Sequence, residues 1–124
     1  MFPALGTRTL FAYGTLLRGE RNHSWLERAR HLGDAQTEPR FELVDLGTYP
    51  ALVPEGEGSI RGEVYGLSEE DVVVIDELEA HPAFYVRTPI RLADGTMAEA
   101  YLLQPDQVRG LPRIESGDWR RRPR

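Results

Sequence analysis

The sequence predicts a mixed α+β domain of five or six strands and two helices, with the strands closed or partly closed into a barrel. Three observations support this class. The 124 residues suit one domain with one core. Short β-rich runs recur between glycines and prolines, and only two segments carry helix signals. Barrel closure would remove the exposed sheet edges of such a small protein. We expect a single domain over 1–124, with a flexible basic tail at 120–124.

The first half of the chain contributes three predicted strands and a short helix. The apolar run RTLFAY at 8–13 predicts the first strand. Asn22 is a favourable N-cap for a helix over 23–30. The segments 31–37 and 40–46 predict the second and third strands.

The second half begins with a loop and ends with a hairpin. The sequence GTYPALVPEGEG at 47–58 predicts a long, turn-rich loop, and 60–67 predicts a strand. After the second helix, 85–92 and 96–103 predict two further strands. An Asp-Gly pair lies between them, which is a good hairpin signal.

The second helix has clear start and stop signals. Ser68 is the predicted N-cap, and Asp71 three residues later completes a capping-box arrangement. Pro82 disfavours helical backbone at the residue before it. We therefore expect the helix to end near Ala80.

Glu79 is the unexpected residue of this helix. It follows Val72 and Ile75 at helical spacing, so it lies on the stripe that should face the core. Removal from water raises the pKa of a carboxylic acid, which suits a general acid or base. The alternative is a structural glutamate that reaches solvent or pairs with an arginine such as Arg87. Position alone leaves both interpretations open.

The turn after the first strand is a second candidate site. Gly14 permits a sharp turn. If the strand stops there, the backbone N–H groups of Gly14, Thr15 and Leu16 have no obvious partners in the sheet. Successive free N–H groups form a nest that can hold a carboxylate. The alternative is an ordinary strand exit whose N–H groups bind water.

The composition excludes several kinds of chemistry. The chain has no cysteine and no lysine, which excludes a thiol nucleophile, a Cys-built metal centre and Schiff-base catalysis. His23, His31 and His81 lack metal-ligand spacing, and we expect neither a metal nor a cofactor. The net charge of −5 argues against nucleic-acid binding.

The patterns of apolar and basic residues bear on location and partners. No apolar run approaches the roughly 20 residues of a membrane span, and residues 1–15 lack the features of a secretory signal. We therefore expect a soluble, cytoplasmic protein without a membrane partner. The segment WRRRPR at 119–124 fits either a solvated end or an electrostatic contact with a phosphate or acidic partner. Nothing indicates the oligomeric state.

Residues 13–16 (YGTL) are followed by Arg18-Gly19 and Asn22-His23, and residues 75–79 (IDELE) are followed by Pro82 and Tyr85. These two segments resemble the opening motif and the second motif of the γ-glutamylcyclotransferase-like (AIG2-like) family. The dipeptide Tyr-Pro at 49–50 and SGDW at 116–119 also resemble family segments. The first motif alone is short, but the two motifs together are fairly specific.

The resemblance implies a small mixed β-barrel flanked by helices. It implies a pocket in which the loop Tyr13-Gly14-Thr15-Leu16 holds the γ-glutamyl head of a substrate through backbone groups. It also implies that Glu79 is the catalytic acid–base. Tyr85 is expected either to hydrogen-bond the substrate or Glu79, or to pack as a structural aromatic residue.

The reaction implied is internal cyclisation of a γ-glutamyl amine or peptide, which releases 5-oxoproline and a free amine without a cofactor. The family pattern usually has glycine after the catalytic glutamate, where this chain has Ala80. A positive φ there would strain an alanine. The alternatives are a non-catalytic module that binds a small carboxylate, and an interaction domain that uses its Arg-rich tail. Nothing in the sequence identifies the leaving amine.

Overall fold

The computed structural model describes residues 8–123, which form a seven-stranded mixed sheet with one α-helix and three 3₁₀ segments. The α+β class predicted from the sequence is confirmed. The strands are β1 (Arg8–Ala12), β2 (Arg30–Gln36), β3 (Phe41–Asp45), β4 (Pro50–Pro54), β5 (Arg61–Leu67), β6 (Val86–Arg91) and β7 (Met97–Leu102). The helix α1 spans Glu69–Leu78, and the 3₁₀ segments are His23–Leu26, Pro105–Val108 and Trp119–Arg121. No helix in the described part of the chain is long and apolar enough to span a membrane.

Strands β1 and β4 share one edge of β7, and both run parallel to it. Its order is β2-β5-β1-β7-β4-β3, and β6 pairs antiparallel with β7. β1 meets β7 at Leu10 opposite Glu99, whereas β4 meets it at Leu52 opposite Leu102. The exit of β1 therefore lies beside the start of β4, which is where the candidate site forms.

The expectation of a closed barrel is corrected, because the strands form an open sheet. One isolated bridge, between Thr37 and Leu92, joins the ends of β2 and β6. Leu92 donates its N–H to Thr96 across the β6–β7 hairpin, so N–H groups at odd-numbered positions of β6 point away from β7. Pro89 occupies one of these outward positions. A proline has no N–H, so it cannot support a continuous ladder between β6 and another strand.

Two other expectations from the sequence are wrong. The predicted loop 47–58 contains β4, whose Ala51–Val53 segment is fully buried and pairs with β3. Burial between two strands overrides its proline-rich flanks. The predicted helix 23–30 is a single 3₁₀ turn, because the Asn22 side chain does not cap it and instead donates to Thr15 Oγ1.

The C-terminal segment contacts the rest of the fold through arginine. Arg120 forms an ion pair with Glu63, a buried carboxylate that also accepts from the Arg18 N–H. The Arg122 guanidinium lies 3.8 Å from the ring centre of buried Trp119. The assignment of one domain and the mobility of the tail both stay predictions.

The end of α1 adopts a Schellman motif, which sets the direction of Glu79. The Ala80 N–H donates to the Glu77 carbonyl and the His81 N–H donates to the Asp76 carbonyl, as this motif requires. Glu79 is the C-cap, and Ala80 occupies the next position with a φ of 54°. Glycine is the usual residue there because an L side chain is strained at positive φ.

We predict that Ala80→Gly stabilises the protein. Relief of the left-handed strain is worth roughly 1–2 kcal/mol, and the added freedom of the unfolded chain removes about 0.4–1 kcal/mol of it. Urea unfolding should therefore show a net gain of about 0.5–1 kcal/mol. Ala93→Gly is the matched control, because Ala93 is exposed and has no positive φ, so it should only lose stability. Equal losses for both variants would show that Ala80 is not strained.

Candidate active site

A cavity of about 280 Å³ lies between the exit of β1, the start of β4 and the end of α1. It brings together all six site residues expected from the sequence, which are Tyr13, Gly14, Thr15, Leu16, Glu79 and Tyr85. The two sequence motifs, more than sixty positions apart in the chain, therefore face one space. Their functional roles stay predictions.

The β1 exit supplies backbone donors to this cavity. The N–H groups of Gly14, Thr15 and Leu16 have no hydrogen-bond acceptor among residues 8–123. The turn is closed by other bonds, from the Leu17 N–H to the Gly14 carbonyl and from the Asn22 N–H to the Thr15 carbonyl. This arrangement leaves three successive donors available to an anion, as a nest requires.

Glycine at position 14 is required by close packing. A Cβ atom there would lie 2.6 Å from Cγ of Pro50, the first residue of β4. The imidazole of His23 supports the same turn, because its Nδ1 donates to the Leu16 carbonyl at 2.9 Å. The turn is therefore held rigidly against β4 while its amides remain available.

Glu79 faces the turn without a partner of opposite charge. Its side chain is half-buried, and its carboxyl group forms no hydrogen bond or ion pair with any described residue. Desolvation raises the pKa of Glu79 from 4.5 to about 7. The carboxyl group can therefore exchange a proton near neutral pH.

Arg87 does not pair with Glu79, although the sequence allowed that interpretation. Its Nε lies 2.9 Å from Asp76 Oδ1, and its Nη1 lies 2.7 Å from Glu99 Oε2. Tyr101 also donates to Asp76, at 2.7 Å. Desolvation opposes ionisation of Asp76, but these hydrogen bonds outweigh it and lower its pKa. Asp76 therefore binds Arg87 and links the last turn of α1 to strand β6.

Tyrosines form the apolar wall of the cavity. Tyr13 donates to the Tyr101 carbonyl and Tyr85 donates to the Pro50 carbonyl, each at 2.6 Å. Tyr85 thus lies in the lining, but its proton is directed away from Glu79. Burial, followed by nearby Glu79, raises the pKa of Tyr85. These neutral rings help to keep water away from the carboxyl group.

Several lining residues are not among the predicted site residues, and these include Arg21, Asn22, Tyr49, Phe84 and Tyr101. The sequence predicts Asn22 as a helix cap and, beside His23, as part of the opening motif, without a place in the pocket. The Tyr-Pro dipeptide is the only signal for Tyr49. Arg21 and Phe84 lie in loops without periodicity, so only the folded chain relates them to Glu79.

One group of potential metal ligands is present in the described residues, formed by His31, Asp34 and Glu63. The ligand atoms lie within 4.8 Å of one another. However, the Glu63 carboxylate already faces the guanidinium groups of Arg18 and Arg120. Two cations beside this carboxylate oppose the binding of a third.

Comparisons with known proteins relate the chain to one family. A family model described as "Gamma-glutamyl cyclotransferase, AIG2-like" matches residues 10–121. A Vibrio cholerae protein with gamma-glutamylcyclotransferase in its name is 44% identical over 110 residues, which cover 89% of this chain and 93% of the relative. The gamma-glutamylcyclotransferase family protein YtfP of Escherichia coli K12 is 37% identical over 110 residues, which cover 89% and 94%.

Solved structures agree with this relationship. The crystal structure of an AIG2-like protein from Mus musculus has a TM-score of 0.79 at 27% identity, and the match covers 88% of this chain and 86% of that one. The solution structure of ytfP from Escherichia coli has a TM-score of 0.69 at 36% identity, with 92% and 97% covered.

We predict that Glu79 titrates near pH 7. Because its pKa is higher in the folded state than the ordinary 4.5, the folded protein binds this proton more tightly than the unfolded chain does. This contribution to stability is fully present below pH 4.5 and is lost as the pH rises to about 7. Carbon-13 NMR of the labelled carboxyl group should report the pKa directly.

Unfolding measurements give a second test of the same prediction. Glu79→Gln has no ionisable group at this position, so its free energy of unfolding does not change with this titration. The free energy of unfolding of the variant minus that of the natural protein should therefore rise by about 2–3 kcal/mol between pH 4.5 and pH 8. Parallel stability curves for the two proteins, or an NMR midpoint near 4.5, would contradict the shift.

Proposed function

The chain belongs to the gamma-glutamyl cyclotransferase, AIG2-like family, as its two motifs predicted, and we propose that it is an enzyme that converts a γ-glutamyl amide into 5-oxoproline and a free amine. The proposal is supported by a carboxyl group with a pKa of about 7 and three backbone N–H groups that face one cavity, all of them without a hydrogen-bond partner among residues 8–123. A cytoplasmic location stays part of this proposal.

Glu79 acts as the proton carrier in this mechanism. The α-amino group of the substrate is protonated at neutral pH, and the ionised Glu79 removes that proton. The freed nitrogen attacks the γ-carbonyl carbon, and a new C–N bond forms in a tetrahedral intermediate. The protonated Glu79 then passes this proton to the departing nitrogen, the original amide C–N bond breaks and the carbonyl group re-forms. The Glu79 carboxylate next removes the extra proton from the ring nitrogen and transfers it to the released amine, which leaves as an ammonium ion. The carboxyl group returns to its starting state, so no oxidant, metal or external nucleophile is consumed.

The raised pKa of Glu79 suits it both to remove the proton from the substrate amine and to return a proton to the leaving nitrogen. A general base is most effective when its pKa lies near the working pH, because a large fraction is ionised and the acid form still donates readily. Glu79, with a pKa of about 7, meets this condition. An ordinary glutamate would be fully ionised at neutral pH, but its carboxylate would be a weaker base toward the substrate ammonium group.

The shape of the cavity supplies the second contribution. The glutamyl chain must fold so that its amino nitrogen reaches its own γ-carbon. Well-oriented intramolecular reactions gain up to roughly 7–11 kcal/mol from proximity. The tyrosine-lined cavity of about 280 Å³ has room for a folded glutamyl group.

The turn at Gly14, Thr15 and Leu16 supplies the third contribution. Its three N–H groups are suited either to anchor the substrate α-carboxylate or to stabilise the oxyanion that develops on the γ-carbonyl. Loss of one such donor typically costs about 3 kcal/mol of transition-state stabilisation. Either role places the glutamyl group between the turn and Glu79.

A second candidate is a binding module that holds a small carboxylate without turning it over. Ala80 favours this alternative, because it occupies a positive-φ position directly after Glu79 and changes the residue that usually directs this carboxyl group. Incubation with γ-glutamyl amines distinguishes the two candidates, since only the enzyme forms 5-oxoproline.

We predict that Glu79→Gln loses turnover by about 10²–10⁴-fold, because the amide cannot accept the proton. Formation of 5-oxoproline is the measurement, and circular dichroism should show an unchanged fold. Glu77→Gln is the matched control, since Glu77 is exposed on the same helix and does not line the cavity. Full activity of Glu79→Gln would exclude Glu79 as the base.

A further inference from the structure

We propose that Arg21 is a specificity-determining residue that selects leaving amines bearing a carboxylate and an apolar side chain. This inference rests on the proposed function and concerns the mouth of the same cavity. It predicts that γ-glutamyl dipeptides with a large apolar second residue react faster than γ-glutamyl amines of the same shape that lack the carboxylate.

The cavity has two charged lining residues of opposite sign among those described. Among its described lining residues, Glu79 is the only carboxylate and Arg21 is the only cation. Arg21 is exposed and forms no ion pair or side-chain hydrogen bond with a residue in 8–123. Arg87 and Arg120, in contrast, form ion pairs with Asp76 and Glu63. Arg21 is therefore available to a ligand.

Burial shows which end of the cavity receives the leaving group. Leu10, Phe11 and Tyr13 at the closed end are buried, whereas Arg21 and Phe84 are exposed. The γ-glutamyl head occupies the space between the amide turn and Glu79. The amine bonded to its γ-carbon then extends toward the open side of the cavity, and Arg21 and Phe84 are among the exposed lining residues.

An aromatic cluster also lines the cavity. The ring centres of Phe84 and Tyr85 are 5.0 Å apart, and Tyr49 lies 6.5 Å from Phe84 and 6.4 Å from Tyr85, all at steep angles. Phe84 is 37% exposed, which is unusual for a phenylalanine that packs in a cluster. An apolar side chain on the leaving amine would cover this ring and be removed from water.

Arg21 and the aromatic cluster together favour one class of leaving amine, the α-amino acids with an apolar side chain. An α-amino acid released from the γ-carbon presents a carboxylate and a side chain on the same carbon atom. The carboxylate can accept charge-assisted hydrogen bonds from Arg21 while the side chain lies against Phe84. A polyamine brings positive charge toward Arg21 and has no carboxylate, so it is disfavoured.

The test compares two substrates that differ only in the carboxylate. These are γ-L-glutamyl-L-phenylalanine and γ-L-glutamyl-2-phenylethylamine, and 5-oxoproline is measured for both. We expect kcat/KM to favour the dipeptide by about ten- to a hundredfold, the usual worth of a hydrogen bond to a charged group. Arg21→Gln should remove this preference, chiefly by raising KM for the dipeptide. It should leave kcat/KM for phenylethylamine within about twofold, because that substrate makes no contact with the guanidinium.

Arg28→Gln is the matched control, because Arg28 is exposed and lies outside the cavity lining. It should keep the full preference for the dipeptide. Equal kcat/KM for the two substrates in the natural protein, or equal losses for both in Arg21→Gln, would overturn the role of Arg21 while leaving the reaction itself intact. Absence of 5-oxoproline from both substrates would instead overturn the proposed function, and with it this inference.

Discussion

The structure depends on keeping one carboxyl group partly out of water without giving it a counterion. Burial of an unpaired carboxylate is unfavourable, and the group responds by binding a proton more tightly. Glu79 forms no ion pair within residues 8–123, and Arg87 pairs with Asp76 and Glu99 instead. Tyr101 adds a further hydrogen bond to Asp76, so this network is satisfied without Glu79.

The topology of the sheet explains why the site lies where it does. β1 and β4 both run parallel to β7, but at Leu10 and Leu52, so one replaces the other along its edge. The chain must leave the sheet at the end of β1, and the close contact between Gly14 and Pro50 holds the exit turn against β4. A turn that leaves a sheet has unpaired amides, and α1 ends opposite them. The cavity thus forms where β1 leaves the edge of β7 and β4 takes its place.

Local patterns in the sequence predicted the parts of the site that depend on neighbouring residues. The capping box at Ser68 and the position of Glu79 on the apolar stripe both follow from helical spacing, and the structure has both the box and that half-buried position. Features that depend on distant contacts were missed. The strand Pro50–Pro54 is formed by burial against β3 and β7, and Pro89 interrupts barrel closure through the direction of one missing N–H. Arg21 has no periodic signal, because only the folded chain brings its loop to the mouth of the cavity.

In the proposed mechanism, the amide turn and the Glu79 carboxyl group act on the same ligand. A crystal structure with 5-oxoproline bound would show whether they do. We expect the ligand to occupy the cavity, with one of its oxygens accepting hydrogen bonds from the N–H groups of Gly14 to Leu16. Its ring nitrogen should lie within about 3.2 Å of a Glu79 carboxyl oxygen. A ligand bound elsewhere, or bound in the cavity with Glu79 turned to solvent, would contradict it.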